Sequence, residues 1–348
     1  MPRKIELSVG RRGFVLGAAA LAGCASVAPA DAPPAPAAPR AFTKREVTFN
    51  NGDVRLAGDL YTPDGVAHEP AIVFGHGSGR VARPNPRFTF EAEGLAQRGF
   101  ACLVFDKRGC GQSTGDWRTS DFEALAGDLR VAFDFMGAQA SVDGGRVGLR
   151  GASQAGYVMP IAAARQPQPA FVILISAPMI TIADQITFEN ETNLRAANLA
   201  ADDMAAAMNL LRQALDVART GTGAEAYFAR VREAMETPWY RASPTPPEEE
   251  RWFFDWLRPI HAFDPAPYFR EMTMPVLAFF GQNDTLVPAQ IARQRLEALY
   301  TGPRRRLLTV IDYPNAGHDL RYPNAAGHRI LAPDYLDRMA AWINAALA

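Results

Sequence analysis

Cysteine is scarce: only Cys24, Cys102 and Cys110 are present. They show no paired spacing of the kind that holds zinc, so no metal site is expected. Excess charge of either sign is also missing. Thirty-six Lys and Arg stand against 37 Asp and Glu, a net charge of −1. That leaves no electrostatic footprint for nucleic acid as a partner. Histidine is limited to five, so a catalytic base has few sources. Outside the N-terminus no apolar run reaches the roughly 18 residues of a membrane-spanning helix.

What is present is a chain of 348 residues, 48% apolar and 21% charged. These are the proportions of a globular protein with length for a large core. Its first residues, MPRKIELSVGRRGFVLGAAALAGCASVAPA, read as an address. A basic start leads to Arg11–Arg12 and then to an apolar stretch from Phe14 to Gly23. This is the layout of an export signal, and the paired arginines resemble the twin-arginine type. The stretch ends in Leu21-Ala22-Gly23-Cys24, which resembles a bacterial lipobox and implies lipidation at Cys24. Two acyl chains bury enough CH2 groups for lasting attachment. Cleavage after Ala28-Pro29-Ala30 is the alternative and would give a soluble product. Either way the expected location is the periplasm or cell envelope, with a lipid anchor as the one contact with membrane. Residues 25–41, rich in proline and alanine, are expected to be an extended linker.

The rest alternates. Continuous apolar runs occur at 71–75 (AIVFG), 100–105 (FACLVF), 146–151 (RVGLRG), 171–176 (FVILIS), 276–281 (VLAFFG) and 307–312 (LLTVID). Runs without alternation fit strands buried on both faces of a parallel sheet. Cys102 lies inside one of them and reads as a small core residue. Helical patterns separate the runs, as at 120–139, where Leu125, Leu129, Phe133 and Met136 share a face. Strand, helix, strand predicts an α/β fold: a mostly parallel twisted sheet flanked by helices. The pair 46–50 and 54–63 flanks Asn51-Gly52, a hairpin signal, so the sheet is expected to begin antiparallel. The alternation stops between 180 and 270. That stretch is expected to be helical and carries Trp239, Tyr240, Trp252, Phe253, Phe254 and Trp256. We read it as a cap inserted into a core formed by 42–179 and 271–348.

Several residues fall at strand ends in an order that carries chemistry. GASQAG follows the run at 146–151 and precedes an expected helix. Small residues around Ser153 permit a sharp strand-to-helix turn that presents its hydroxyl at the sheet edge. Such a serine needs a base, and the base an orienting acid. Asp284 lies in GQNDTLVP, just after the run at 276–281. His318 lies in NAGHD, just after the run at 307–312. Of the other histidines, His68 and His261 are poorly placed, and His328, the main competitor, is expected to lead into the last helix. His76 is expected to brace its own loop. Asp255, Asp264 and Asp312 compete less well with Asp284, which alone sits on a loop beyond a strand. The small-residue loop His76-Gly77-Ser78-Gly79 can turn backbone N–H groups towards Ser153. Ser78 is the preferred first oxyanion donor, with Gly79 the alternative, and the N–H of Gln154 is the second.

Taken in order, FGHGSG, FDKRGCGQSTG, GASQAG, GQNDTLVP and NAGHD resemble the α/β-hydrolase superfamily over residues 45–345. They resemble the branch of bacterial esterases and serine aminopeptidase-like or prolyl-oligopeptidase-like hydrolases. Ala155 departs from the family's usual glycine, and Asp106-Lys107-Arg108-Gly109 resembles its Asp-x-Arg-Gly loop, read as a structural brace. The resemblance implies an α/β-hydrolase fold with a helical cap. It also implies a Ser153–His318–Asp284 triad that works through an acyl-enzyme and needs neither metal nor organic cofactor. The expected substrate is a small-molecule carboxylic ester. A serine peptidase acting on short peptides is the first alternative, and a non-catalytic envelope binding lipoprotein the second.

Overall fold

The computed structural model describes residues 38–65, 67–323 and 328–348. The paired arginines and Cys24 lie outside them. The chain enters as a hairpin, β1 (Phe42–Asn51) and β2 (Val54–Pro63), turning at Gly52 with φ +57°. The pairing of Asn51 with Val54 leaves Gly52 and Asp53 as the two turn residues, and glycine supplies the positive φ at the first of them. β3 (Glu69–Gly75) leads to α1 (Pro86–Ala96), which Asn85 caps by accepting from the N–H groups of Arg87 and Phe88. β4 (Ala101–Phe105), α2 (Phe122–Gly137), β5 (Val142–Ala152), α3 (Ala155–Ala164) and β6 (Val172–Ile175) follow.

After β6 come only helices: α4 (Ile182–Ala196), α5 (Ala201–Thr220), α6 (Ala224–Ala234), α7 (Pro238–Ala242), α8 (Trp252–Leu257) and α9 (Ala266–Glu271). The sheet resumes with β7 (Val276–Gly281), α10 (Ala289–Leu299) and β8 (Leu308–Tyr313). A short hairpin, β9 (Arg321–Pro323) with β10 (Arg329–Leu331), precedes the final helix α11 (Tyr335–Ala346). This hairpin corrects one expectation. His328 leads into β10, not directly into the last helix, because three residues on each side pair across 321–331.

The main sheet has eight strands in the order β1-β2-β4-β3-β5-β6-β7-β8. Its first two pairings, β1 with β2 and β2 with β4, are antiparallel, and the rest are parallel. Each parallel strand feeds two cores. Val172 and Leu174 face the side of α2, α3 and the helical insertion, while Ile173 and Ile175 face α1 and α11. This is why these runs are apolar without a break.

The helices after β3 and β5 leave on opposite faces. Phe88 and Leu95 of α1 join one core, and Tyr157 and Ile161 of α3 join the other. Where neighbouring crossovers diverge, a crevice opens at the carboxyl ends of the strands. Cys102 and Cys110 are buried, free thiols.

Candidate active site

Ser153 stands at that crevice, between the end of β5 and the start of α3. Its backbone is left-handed, φ +56°, which an L-residue adopts only when its surroundings enforce it. Here they do. The Ser153 N–H donates to the Ile175 carbonyl on β6 at 2.9 Å, and the Ser153 carbonyl accepts from Gly156 at 2.7 Å. A Cβ on Gly151 would lie 2.4 Å from the Ala155 Cβ and 2.8 Å from the Met159 sulfur. The methyl of Ala155, the residue that departs from the family pattern, therefore fills space that Gly151 leaves open. Gly156 lets α3 run close to the loop after β6, since a Cβ there would meet the Ala177 backbone at 3.0 Å.

Asp284 and His318 are brought together directly. His318 Nδ1 and Asp284 Oδ2 are 2.8 Å apart. The other carboxylate oxygen of Asp284 accepts from the N–H groups of Leu286 (2.8 Å) and Val287 (2.9 Å). A buried carboxylate so held points one oxygen at the imidazole and fixes which ring nitrogen carries the proton. The two loops clasp each other. The Asn283 N–H donates to the Ala316 carbonyl at 2.9 Å, and a Cβ on Gly281 would sit 2.2 Å from the Gly317 oxygen. Strand register places the pieces at one edge: Ala152 pairs with Ile175, Ile175 with Phe279, and Phe279 with Ile311. The Ser153 hydroxyl and the His318 ring are not hydrogen-bonded to each other; in ligand-free sites such bonds often tighten only around substrate.

The rival groups are occupied elsewhere. His76 Nε2 lies 2.7 Å from the Phe105 carbonyl and its ring packs edge-on against Phe105. Burial holds that ring neutral, down to about 3. Asp264 accepts from the Ala266 N–H, Asp255 pairs with Arg258, and Asp312 is held by Gln282 and Arg293. In the brace loop, Asp106 accepts from the N–H groups of Gln112 and Arg83, and Arg108 forks onto Asp128.

Ser153, Gln154 and Ser78 line one cavity of about 630 Å³. Its walls come largely from the helical insertion: Ile182 and Ile186 of α4, Leu211 and Leu215 of α5, Tyr240 of α7, and Phe253 and Trp256 of α8. Gly79 is not among its lining residues. Neither the Ser78 nor the Gln154 N–H has an acceptor among the described residues. Of the aromatic cluster, Phe254 instead packs on Tyr227 and Phe228, and Trp252 on Trp117.

Three neighbours were invisible to sequence reasoning. Ser176, at the end of β6 with φ +48°, donates to the His318 carbonyl at 2.8 Å. Gln185 of α4 bridges the Leu286 carbonyl (2.9 Å) and Glu189 (3.0 Å). Glu189 lines the cavity, and its carboxyl titrates above the ordinary range, chiefly because burial disfavours its charge. No linear spacing marks any of them, since each acts across 100 residues or more or from within the insertion. No group of His, Cys, Asp and Glu among the described residues is arranged to hold a metal.

Comparison with known proteins agrees with this architecture. The chain is 35% identical to the quorum-quenching protein AidA of Acinetobacter baumannii over 120 residues, 34% of this chain and 39% of AidA, so the match spans well under half of that relative. Among solved structures, an esterase of Pyrococcus furiosus superposes with a TM-score of 0.55 at 15% identity, covering 89% of this chain and 92% of the esterase. A proline iminopeptidase of Mycobacterium smegmatis superposes with a TM-score of 0.56 at 17% identity, covering 86% and 98%. At such identities these two establish the fold, the α/β-hydrolase fold. The model of the X-Pro dipeptidyl-peptidase (S15) family matches residues 51–308. With that match spanning most of the chain, this α/β hydrolase belongs to the X-Pro dipeptidyl-peptidase (S15) family.

Proposed function

We propose that this hydrolase cleaves carboxylic esters through an acyl-enzyme on Ser153, His318 and Asp284. One observation carries the reading: the Asp284–His318 hydrogen bond lies at the same sheet edge as a strained serine that opens into a largely apolar cavity. In this mechanism His318 takes the Ser153 proton as the hydroxyl oxygen attacks the ester carbonyl. The N–H groups of Ser78 and Gln154 receive the oxyanion. Collapse expels the alcohol, protonated by His318, and leaves an acyl ester on Ser153. Water, deprotonated by His318, then releases the acid and restores the serine. Asp284 orients the imidazole and stabilises its positive form. The apolar walls from α4, α5 and α8 suit an alkyl or aryl group of the ester.

A second reading, a peptidase acting on free N-termini, is favoured by Glu189. It is a cavity carboxylate that forms no ion pair among the described residues, available to a substrate ammonium. A panel of p-nitrophenyl esters against aminoacyl and prolyl amides separates the two. The ester reading expects turnover of acyl esters, abolished in Ser153→Ala, and labelling of Ser153 by a fluorophosphonate. Amide turnover lost in Glu189→Gln would replace it with the peptidase. Neither turnover nor labelling would leave a non-catalytic binding protein. We further propose export and lipidation at Cys24, from the lipobox-like run. Mass spectrometry of the mature N-terminus should find a diacylated cysteine; an unmodified Asp31 start would rule out lipidation, and an uncleaved Met1 start would refute export.

A further inference from the structure

Lys107 follows β4 and is 2% exposed. Among the described residues no carboxylate forms an ion pair with it. An ammonium buried without a counter-charge is costly unless each of its N–H groups is satisfied. Lys107 meets that condition with three neutral acceptors: the carbonyls of Gly77 (3.0 Å) and Gly79 (3.2 Å) and the side-chain oxygen of Gln154 (2.9 Å). The ring of Trp117 lies 5.3 Å from its nitrogen. Burial draws its titration down to about 8.

The three acceptors flank the two N–H groups assigned above to the oxyanion. In a trans peptide the C=O and N–H of one plane point in opposite directions. The Gly77 carbonyl and the Ser78 N–H share such a plane. Pinning that carbonyl on the buried ammonium therefore turns the Ser78 N–H away from it, and Ser78 lines the cavity together with Ser153. The same ammonium ties this loop to the side chain of Gln154, the residue after the nucleophile. Gly79 has φ +71° with nothing near its missing Cβ, so the loop is not held there by packing.

We infer that Lys107 is a positioning residue: its ammonium fixes the direction of the Ser78 N–H and its register against Gln154, and so sets up the oxyanion cradle before substrate arrives. This rests on the hydrolase reading above. It assigns Lys107 a role that a simple brace does not have, since its removal should harm the transition state more than the bound ground state.

Lys107→Met keeps the length and apolar stem and removes every donor. With the fold retained by circular dichroism, kcat should fall about 100-fold or more, as for loss of an oxyanion donor, with KM within a few-fold. A kcat within threefold of wild type, or a raised KM with kcat unchanged, overturns the inference. If Lys107→Met does not fold, Gln154→Ala carries the test. It keeps the backbone N–H and removes one acceptor of the ammonium, so kcat should drop about tenfold, the weight of one hydrogen bond to a charged group; an unchanged kcat overturns it. Should no ester or amide be turned over, hydrogen–deuterium exchange still decides. Faster exchange confined to residues 76–80 and the start of α3 in either variant supports the positioning role and rejects only the hydrolase reading. Wild-type exchange there rejects Lys107 itself.

Discussion

Gly281 shows how a single missing Cβ can set the geometry of the proposed triad. It ends β7, three residues before Asp284, and it is where the aspartate and histidine loops cross. A methyl there would lie 2.2 Å from the Gly317 oxygen and 2.6 Å from the Ala316 oxygen, both backbone atoms of the loop that carries His318. Neither can move aside as a side chain tip can, so the loops must part. The 2.8 Å Asp284–His318 contact lies directly beyond the crossing. A misplacement of about 1 Å can cost on the order of 100-fold in rate. We therefore expect Gly281→Ala to lower kcat by about that factor while fluorophosphonate still finds its way into the cavity. Gly52→Ala is the control: unlike Gly281 it has a positive φ, but nothing lies within 4 Å of the added methyl and it sits in the β1–β2 turn. Equal, near-wild-type kcat in both variants would show that the crossing does not set the Asp–His geometry.

Among the elements, legibility follows the range of the forces involved. β7 spans Val276–Gly281, as its apolar run predicts, because burial on both faces leaves a continuous signal, and β2 spans Val54–Pro63, as the hairpin signal before it predicts. β1 begins at Phe42, earlier than the run at 46–50 suggests, since its polar first half is exposed and is held by pairing with β2, which no one-strand pattern records. The β9–β10 hairpin escaped for a similar reason: three-residue strands have no periodicity to read. At the site, Ser153, Asp284 and His318 were readable because each follows its strand within a few residues, and the strand end fixes where the side chain emerges. Ser176 was not. It also follows a strand directly, but a serine there is chemically silent until His318, 142 residues away, lays its carbonyl against it. Glu189 and Gln185 lie within an amphipathic helix, where a polar residue ordinarily faces solvent. Only the fold turns them towards the Asp284 loop.

Across the whole molecule one buried charge cluster joins distant parts of the core. Arg150 lies on β5, three residues before Ser153, and is fully buried. Its guanidinium pairs with Glu91 of α1 and lies over the rings of Phe74 and Phe88 at 5.1 and 5.5 Å. Glu91 also accepts from Arg87 at 2.8 Å and from the Tyr335 hydroxyl of α11 at 3.3 Å. The cluster thus ties the strand that carries Ser153 to helices drawn from both ends of the described core. Burial alone would raise the Glu91 carboxyl, but the charges of Arg150 and Arg87 outweigh it and hold it below the ordinary 4.5. For a carboxyl depressed in the folded state, the stabilisation is complete above the unfolded value and disappears as pH falls through the folded one. Glu91→Gln strands Arg150 without its counter-charge, and breaking one side of a buried pair costs about 3–5 kcal/mol. Denaturant unfolding at pH 7 should show a loss of that size, and the gap between wild type and Glu91→Gln should narrow below about pH 4.5, where wild-type Glu91 begins to lose its contribution. Replacing both partners, Glu91→Leu with Arg150→Met, should recover much of the loss, because the cost lies in the orphaned charge and not in the absence of the pair. A single variant as stable as wild type at pH 7, or a gap that widens on acidification, would mean that the cluster does not hold β5, the strand that leads to Ser153, to the two helices.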